Sequence, residues 1–183
     1  MTDQTEKLFW TDLETTGLDP AVDTVLEVAA VVTDGDLNTL VTFHAIIGKD
    51  PDLRMGRFVW QMHEANGLLA EIDAEPAGEV PFRGSRLGIS VRLGEVIEQY
   101  APGAPMAGSS VAFDRGFYKV HFPQAEKHLH YRNFDVSVYK EAMKRWAPDV
   151  ELPASDGKHR AMPDILASIE LAKHWRGRVL ERK

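Results

Sequence analysis

The chain predicts an α/β fold, a mixed sheet flanked by helices, and three observations carry that expectation. Long β-prone apolar runs fill the first quarter, shorter ones recur after residue 100, and between and after these the apolar residues return at helical spacing. With 183 residues and 44% hydrophobic content the chain can build one sizeable core, so a single domain over 1–183 is expected.

Leu8-Phe9-Trp10-Thr11-Asp12-Leu13 reads as a buried strand that runs into the turn-rich segment Thr15-Thr16-Gly17-Leu18-Asp19-Pro20. Val25 to Thr33 is strongly β-prone, Asp34-Gly35 signals a turn, and Leu40 to Ile47 supplies a third strand, so the three form an antiparallel meander. A mixed stretch, Arg54 to Leu69, follows, and Glu75 to Arg86, rich in Pro, Gly and charge, reads as a loop. Ile89, Leu93, Val96, Ile97 and Tyr100 share a helix that Pro102-Gly103 and Pro105 stop. Met106 to Ser110 is a short strand, and Phe113, Phe117 and Val120 mark the next helix. Asn133 to Val136 is a fifth strand, after which Ser137 is placed to cap a helix bearing Tyr139, Met143 and Trp146. A final helix carries Ile165, Ile169, Ala172 and Trp175.

Composition narrows the chemistry. The chain contains no cysteine, which removes disulfides, thiolate metal sites and a cysteine nucleophile, and suits a reducing cytoplasm. Any metal must therefore use oxygen or imidazole ligands. The start, Met1 to Lys7, lacks the basic and apolar regions of a signal, and nowhere do enough apolar residues run together to span a bilayer, so no membrane partner is expected. A formal charge of −7 argues against holding long nucleic acid through many phosphate contacts, but leaves room for a substrate with one or two phosphates.

Asp12 and Glu14 stand two apart on an extended strand, so both point to one side and can meet one hard cation, while Leu13 faces the core. An acid pair at a strand end is by itself more often a solvated turn. Asp114, after Gly108-Ser109-Ser110, opens a helix; alone it is a first-turn acid favoured by the helix dipole. In His159-Arg160-Ala161-Met162-Pro163-Asp164 the proline is tolerated only in a first turn, which places Asp164 near a helix start and His159 at or before it.

Taken together and in this order, Asp12, Glu14, Asp114, His159 and Asp164 resemble the histidine-bearing branch of the DEDD exonucleases. The nearer resemblance is to the oligoribonuclease family. It rests on Trp10 to Pro20, Val32 to Asn38, His63-Glu-Ala-Asn-Gly-Leu68, His130-Tyr-Arg-Asn-Phe-Asp-Val-Ser137, Arg145-Trp146 and His159 to Ile165. The resemblance implies a ribonuclease H-like sheet of five strands and a 3′→5′ exonuclease using two Mg²⁺ or Mn²⁺ ions held by the four acids, with His159 as general base. Such oxygen ligands suit these ions, and an imidazole can take the proton of the attacking water near neutral pH. It further implies a preference for dinucleotides and other short RNAs. Ser110, Arg132 and Ser137 would cap the 5′ phosphate, Leu18 would wedge between bases, and Phe58 or Trp60 with His63 would meet the 3′ nucleotide. Tyr131 would reach into the neighbouring site of a homodimer. The chain departs from the family's pattern at Ser109, Val138 and Pro163. A DNA exonuclease of the same fold and a non-catalytic nucleotide-binding module are the alternative readings.

Overall fold

The structure is a computed structural model that describes residues 7–48, 53–74, 81–154, 157 and 159–180. Met1 to Glu6, and 75–80 of the expected loop, lie outside the described residues.

The elements run β1 (Leu8–Thr15), β2 (Val25–Thr33), β3 (Thr39–Ile47), α1 (Arg57–Ala65), α2 (Leu68–Asp73), β4 (Phe82–Gly84), α3 (Arg86–Tyr100), β5 (Pro105–Gly108), α4 (Ala112–His121), α5 (Pro123–Glu126), β6 (His130–Asp135), α6 (Ser137–Trp146) and α7 (Ala161–Leu180). They build one mixed sheet in the order β4-β3-β2-β1-β5-β6. The antiparallel meander β1-β2-β3 is as expected. The parallel partners β5 and β6 then extend it beside β1.

The strand period sorts the interior into two layers. On β1, Phe9 and Leu13 face one way, into a core closed by Ile89, Leu93 and Ile97 of α3 and Phe117 and Tyr118 of α4. Trp10 faces the other way, against Ile165, Ile169 and Ala172 of α7. All nine residues of β2 are buried, because it is central and covered on both faces.

The α/β class holds, with three differences in detail. The sheet has six strands rather than five: Phe82–Gly84, inside the expected loop, pairs in parallel with Ala45 to Ile47. Three residues carry too little pattern to mark a strand; the neighbouring edge supplies the hydrogen bonds. The mixed stretch after Arg54 folds into α1 and α2, where exposed Phe58 and Trp60 blur the apolar period. Ser137 does not cap α6 with its hydroxyl; instead its amide and hydroxyl both donate to Asp135, at 2.9 and 2.6 Å. An acid two residues earlier satisfies the helix start.

Candidate active site

The alternation of β1 holds as far as Glu14, before a register irregularity at Thr15, so Asp12 and Glu14 emerge on the α7 side while Leu13 stays in the opposite core. Packing of Ile165 and Ile169 against Trp10 brings the first turn of α7, and with it Asp164, to that same strand end. Carboxylate oxygens of Asp12, Glu14 and Asp164 then lie within 4.8 Å of one another.

Asp114 enters from the other layer, in the first turn of α4. The turn before α4 needs a glycine: a Cβ on Gly108 would stand 2.9 Å from the Thr11 carbonyl oxygen. This close approach seats Asp114 beside β1, where it is buried, its carboxylate accepts from its own and Leu13's backbone amides, and its charge acts on Asp12.

Burial, and then the other acids around it, push Asp12 up to about 9; the same causes, led by burial, raise Glu14 to about 8, and burial raises Asp114 to about 8. Asp12, Glu14 and Asp114, all raised by burial, cannot all ionise at neutral pH without a cation. The donor set is all oxygen, with no thiol in the chain, which fits a hard divalent ion of the magnesium or manganese kind. The residues present therefore fit a divalent metal.

His159 precedes α7 as expected, with its ring exposed and its backbone in the left-handed region, φ 50°. It is close enough for its charge to act on His63. His63 is fully buried on α1, so in this conformation it supports the site from beneath. Its Nε2 lies 3.0 Å from the Thr15 carbonyl and so carries the hydrogen. Its Nδ1 lies 3.7 Å from the Glu14 carboxylate.

Glu27 and Arg160 were not among the residues singled out from sequence. Glu27 stands directly across from Glu14 in the β1–β2 register. Burial works to raise its carboxyl, but hydrogen bonds from His44, Arg160 and the Ala161 amide outweigh this and hold it near 2. Arg160 forks onto Glu27 and Glu71 together. One acid inside the apolar run Val25-Leu-Glu-Val-Ala-Ala-Val-Val32 was the available signal, because a buried charge demands a partner.

Leu18, Phe58, Trp60 and Tyr131, expected to meet substrate, are exposed apolar side chains. Ser110, exposed and at φ 57°, donates its amide to Asp135 at 3.0 Å, the carboxylate that also holds Ser137. Asp135 thus ties together two of the three residues expected at the phosphate cap. The third, Arg132, is exposed, and its Nε donates to the Tyr131 hydroxyl at 3.1 Å. Behind them, buried Arg115 of α4 donates to the carbonyls of His130 and Arg132, to Asn133 Oδ1 and to Glu126, linking the Asp114 helix to β6.

The exonuclease family model (RNase_T) matches residues 9–172. The oligoribonuclease of Leifsonia xyli subsp. xyli is 40% identical over 185 residues, covering 96% of this chain and 85% of its own length. That of Nitrosomonas eutropha is 37% identical, covering 96% and 97%. Among solved structures, the zinc-bound E. coli exonuclease I–single-stranded DNA complex superposes with a TM-score of 0.72 at 17% identity, over 95% of this chain. Exonuclease I of Methylocaldum szegediense gives 0.70 at 19%, over 94% of this chain. The chain spans about 40% of those exonuclease I chains, and the likeness to them concerns the fold. A mixed sheet that gathers acids from β1, α4 and α7 at one strand end, with 40% identity along almost the whole chain, places this protein in the oligoribonuclease family of the RNase_T exonucleases.

Proposed function

We propose that this chain is a metal-dependent 3′→5′ exoribonuclease. It removes nucleoside 5′-monophosphates from very short oligonucleotides, dinucleotides above all. The observation that carries the reading is the convergence of Asp12, Glu14 and Asp164 oxygens within 4.8 Å, with Asp114 beside Asp12, in a chain of this family.

A pair of Mg²⁺ or Mn²⁺ ions bound by these acids would activate water and offset charge on the scissile phosphate and leaving oxygen. Asp12, Glu14, Asp114 and Asp164 would hold them. His159, exposed at the start of α7, accepts the proton of the attacking water; water adds to phosphorus as the bond to the 3′ oxygen breaks. Arg132 offers its planar fork to a terminal 5′ phosphate, with Ser110 and Ser137 beside Asp135 completing the cradle. Leu18 stands exposed where a wedge between bases is needed, and Phe58 or Trp60 offers a face that stacks on any base, near His63. Exposed Tyr131 on the outer strand β6 supports a homodimer in which it reaches the partner's site. The whole chain then acts as one exonuclease domain, and the absence of cysteine suits a cytoplasmic setting.

The test is a panel of labelled RNA and DNA, from dinucleotides to much longer chains, with Mg²⁺ and with EDTA. Metal-dependent hydrolysis fastest on RNA dimers is expected. Preference for DNA, or binding without hydrolysis, would overturn the assignment.

A further inference from the structure

The fold holds the proposed general base indirectly. His159 lies outside α7, its ring is exposed, and its backbone has a positive φ of 50°. A non-glycine residue persists in that region only where its surroundings over-determine it.

Three attachments do so. The Asn66 side-chain amide donates to the His159 carbonyl, and Asn66 is itself fixed because its Oδ1 accepts from the Leu68 amide at 3.0 Å. The next residue, Arg160, places Nε and Nη2 on Glu27 at 3.1 and 3.0 Å, and Nη1 and Nη2 on Glu71 at 2.8 and 3.1 Å. The amide after it, of Ala161, donates to Glu27 at 3.2 Å. Glu27 is the register partner of Glu14, so the loop carrying the base is fastened to the strand beside the metal ligands.

Stability alone does not account for this arrangement. A buried ion pair seldom outdoes an apolar replacement of equal volume, and every other residue of β2 except Thr33 is apolar. What the charged pair adds is direction, since a planar fork fixes a guanidinium in two dimensions where a methyl group would not.

We infer that Arg160, clamped by Glu27 and Glu71, is a positioning residue that sets where His159 stands relative to the carboxylate cluster. This rests on the reading of His159 as general base.

The test is a double-mutant cycle in the full chain with 5′-phosphorylated diadenylate. Arg160→Gln should lower kcat by about 10- to 100-fold, with KM changed by no more than about threefold. In a His159→Ala background the same substitution should cost no more than about threefold further, because the group it positions is gone. Arg160→Lys, which keeps the charge but loses the fork, should recover only part of the rate. If Arg160→Gln does not fold, Glu71→Gln removes one arm of the clamp and should show a smaller loss of kcat with the same non-additivity. In metal-free protein, the side-chain NMR signal of His159 should move towards that of free histidine in either variant. Losses that multiply with His159→Ala, or a near-normal kcat with an unmoved His159 signal, would overturn the inference. If His159→Ala itself turns over normally, the reading of the base fails instead.

Discussion

Glu14 and Glu27 face each other across the β1–β2 ladder, both buried, yet they sit in opposite electrostatic states. Burial and neighbouring acids push Glu14 up to about 8, whereas Glu27, despite its burial, is held near 2 by His44, Arg160 and the Ala161 amide. The difference lies in which partner the fold provides. Glu27 is completed by Arg160, His44 and the Ala161 amide and serves structure; Glu14 stands among acids, which suits the metal-binding role proposed for it. One sheet therefore makes a scaffold acid and a proposed ligand acid from the same residue type, on the same rung of the ladder.

Exchanging each for its amide should separate the two roles. Glu14→Gln should cut turnover at least about 1000-fold, the scale of several kcal/mol of lost metal-assisted stabilisation. Its melting temperature in chelator should change little at neutral pH, where the raised carboxyl is already mostly protonated, and should rise only above about pH 8, where a repelling charge is removed. Glu27→Gln should instead cost stability, on the order of 3–5 kcal/mol or about 6–20 °C in Tm, because Arg160 keeps a buried charge with half its partners. Equal melting of the two variants would break the comparison.

Titration offers a second way in. A carboxyl raised above its unfolded value binds more protons folded than unfolded. The contribution of Asp12, Glu14 and Asp114 is therefore full below about pH 4 and is lost as pH rises through about 8 to 9. Glu27 works the other way, its contribution present above about 4.5 and lost as pH falls through about 2. Metal-free protein should lose Tm from mildly acidic to alkaline pH, and Mn²⁺ should flatten that limb; a Tm in chelator that climbs towards pH 9 would contradict the assignment of the raised group.

The smallest effect is expected at Asp135, an acid that spends its charge on the amides of Ser110 and Ser137 and on the Ser137 hydroxyl. Asp135→Asn should reduce the advantage of 5′-phosphorylated dinucleotides over unphosphorylated ones by about tenfold, the scale of one charge-assisted hydrogen bond. Comparing kcat/KM for the two substrates reads this directly. An unchanged ratio would remove Asp135 from the cradle.

Much of this was legible in the residues themselves. The meander follows from apolar runs, the shared side of Asp12 and Glu14 from the strand period, and the place of Asp164 from Pro163. What stayed hidden depends on contacts between distant positions. Glu27 and Arg160 are 133 residues apart, and no local pattern pairs them. Strand β4 exists only because β3 offers it an edge. His63 is read from its family context as a nucleotide contact, whereas its burial follows from how α1 packs under Thr15 and Glu14.

Trp10 sits two residues before the first metal-site acid, wholly buried, with its indole donating to Thr33 at 3.0 Å and its ring edge-on to Phe134. Trp60 and Trp146 are exposed instead. Acrylamide should quench the exposed indoles first and leave a blue-shifted emission from Trp10 and half-buried Trp175, which a Trp175→Phe variant would reduce to Trp10 alone. In that variant, loss of the shielded component on warming would mark the moment β1 lets go, with no label attached.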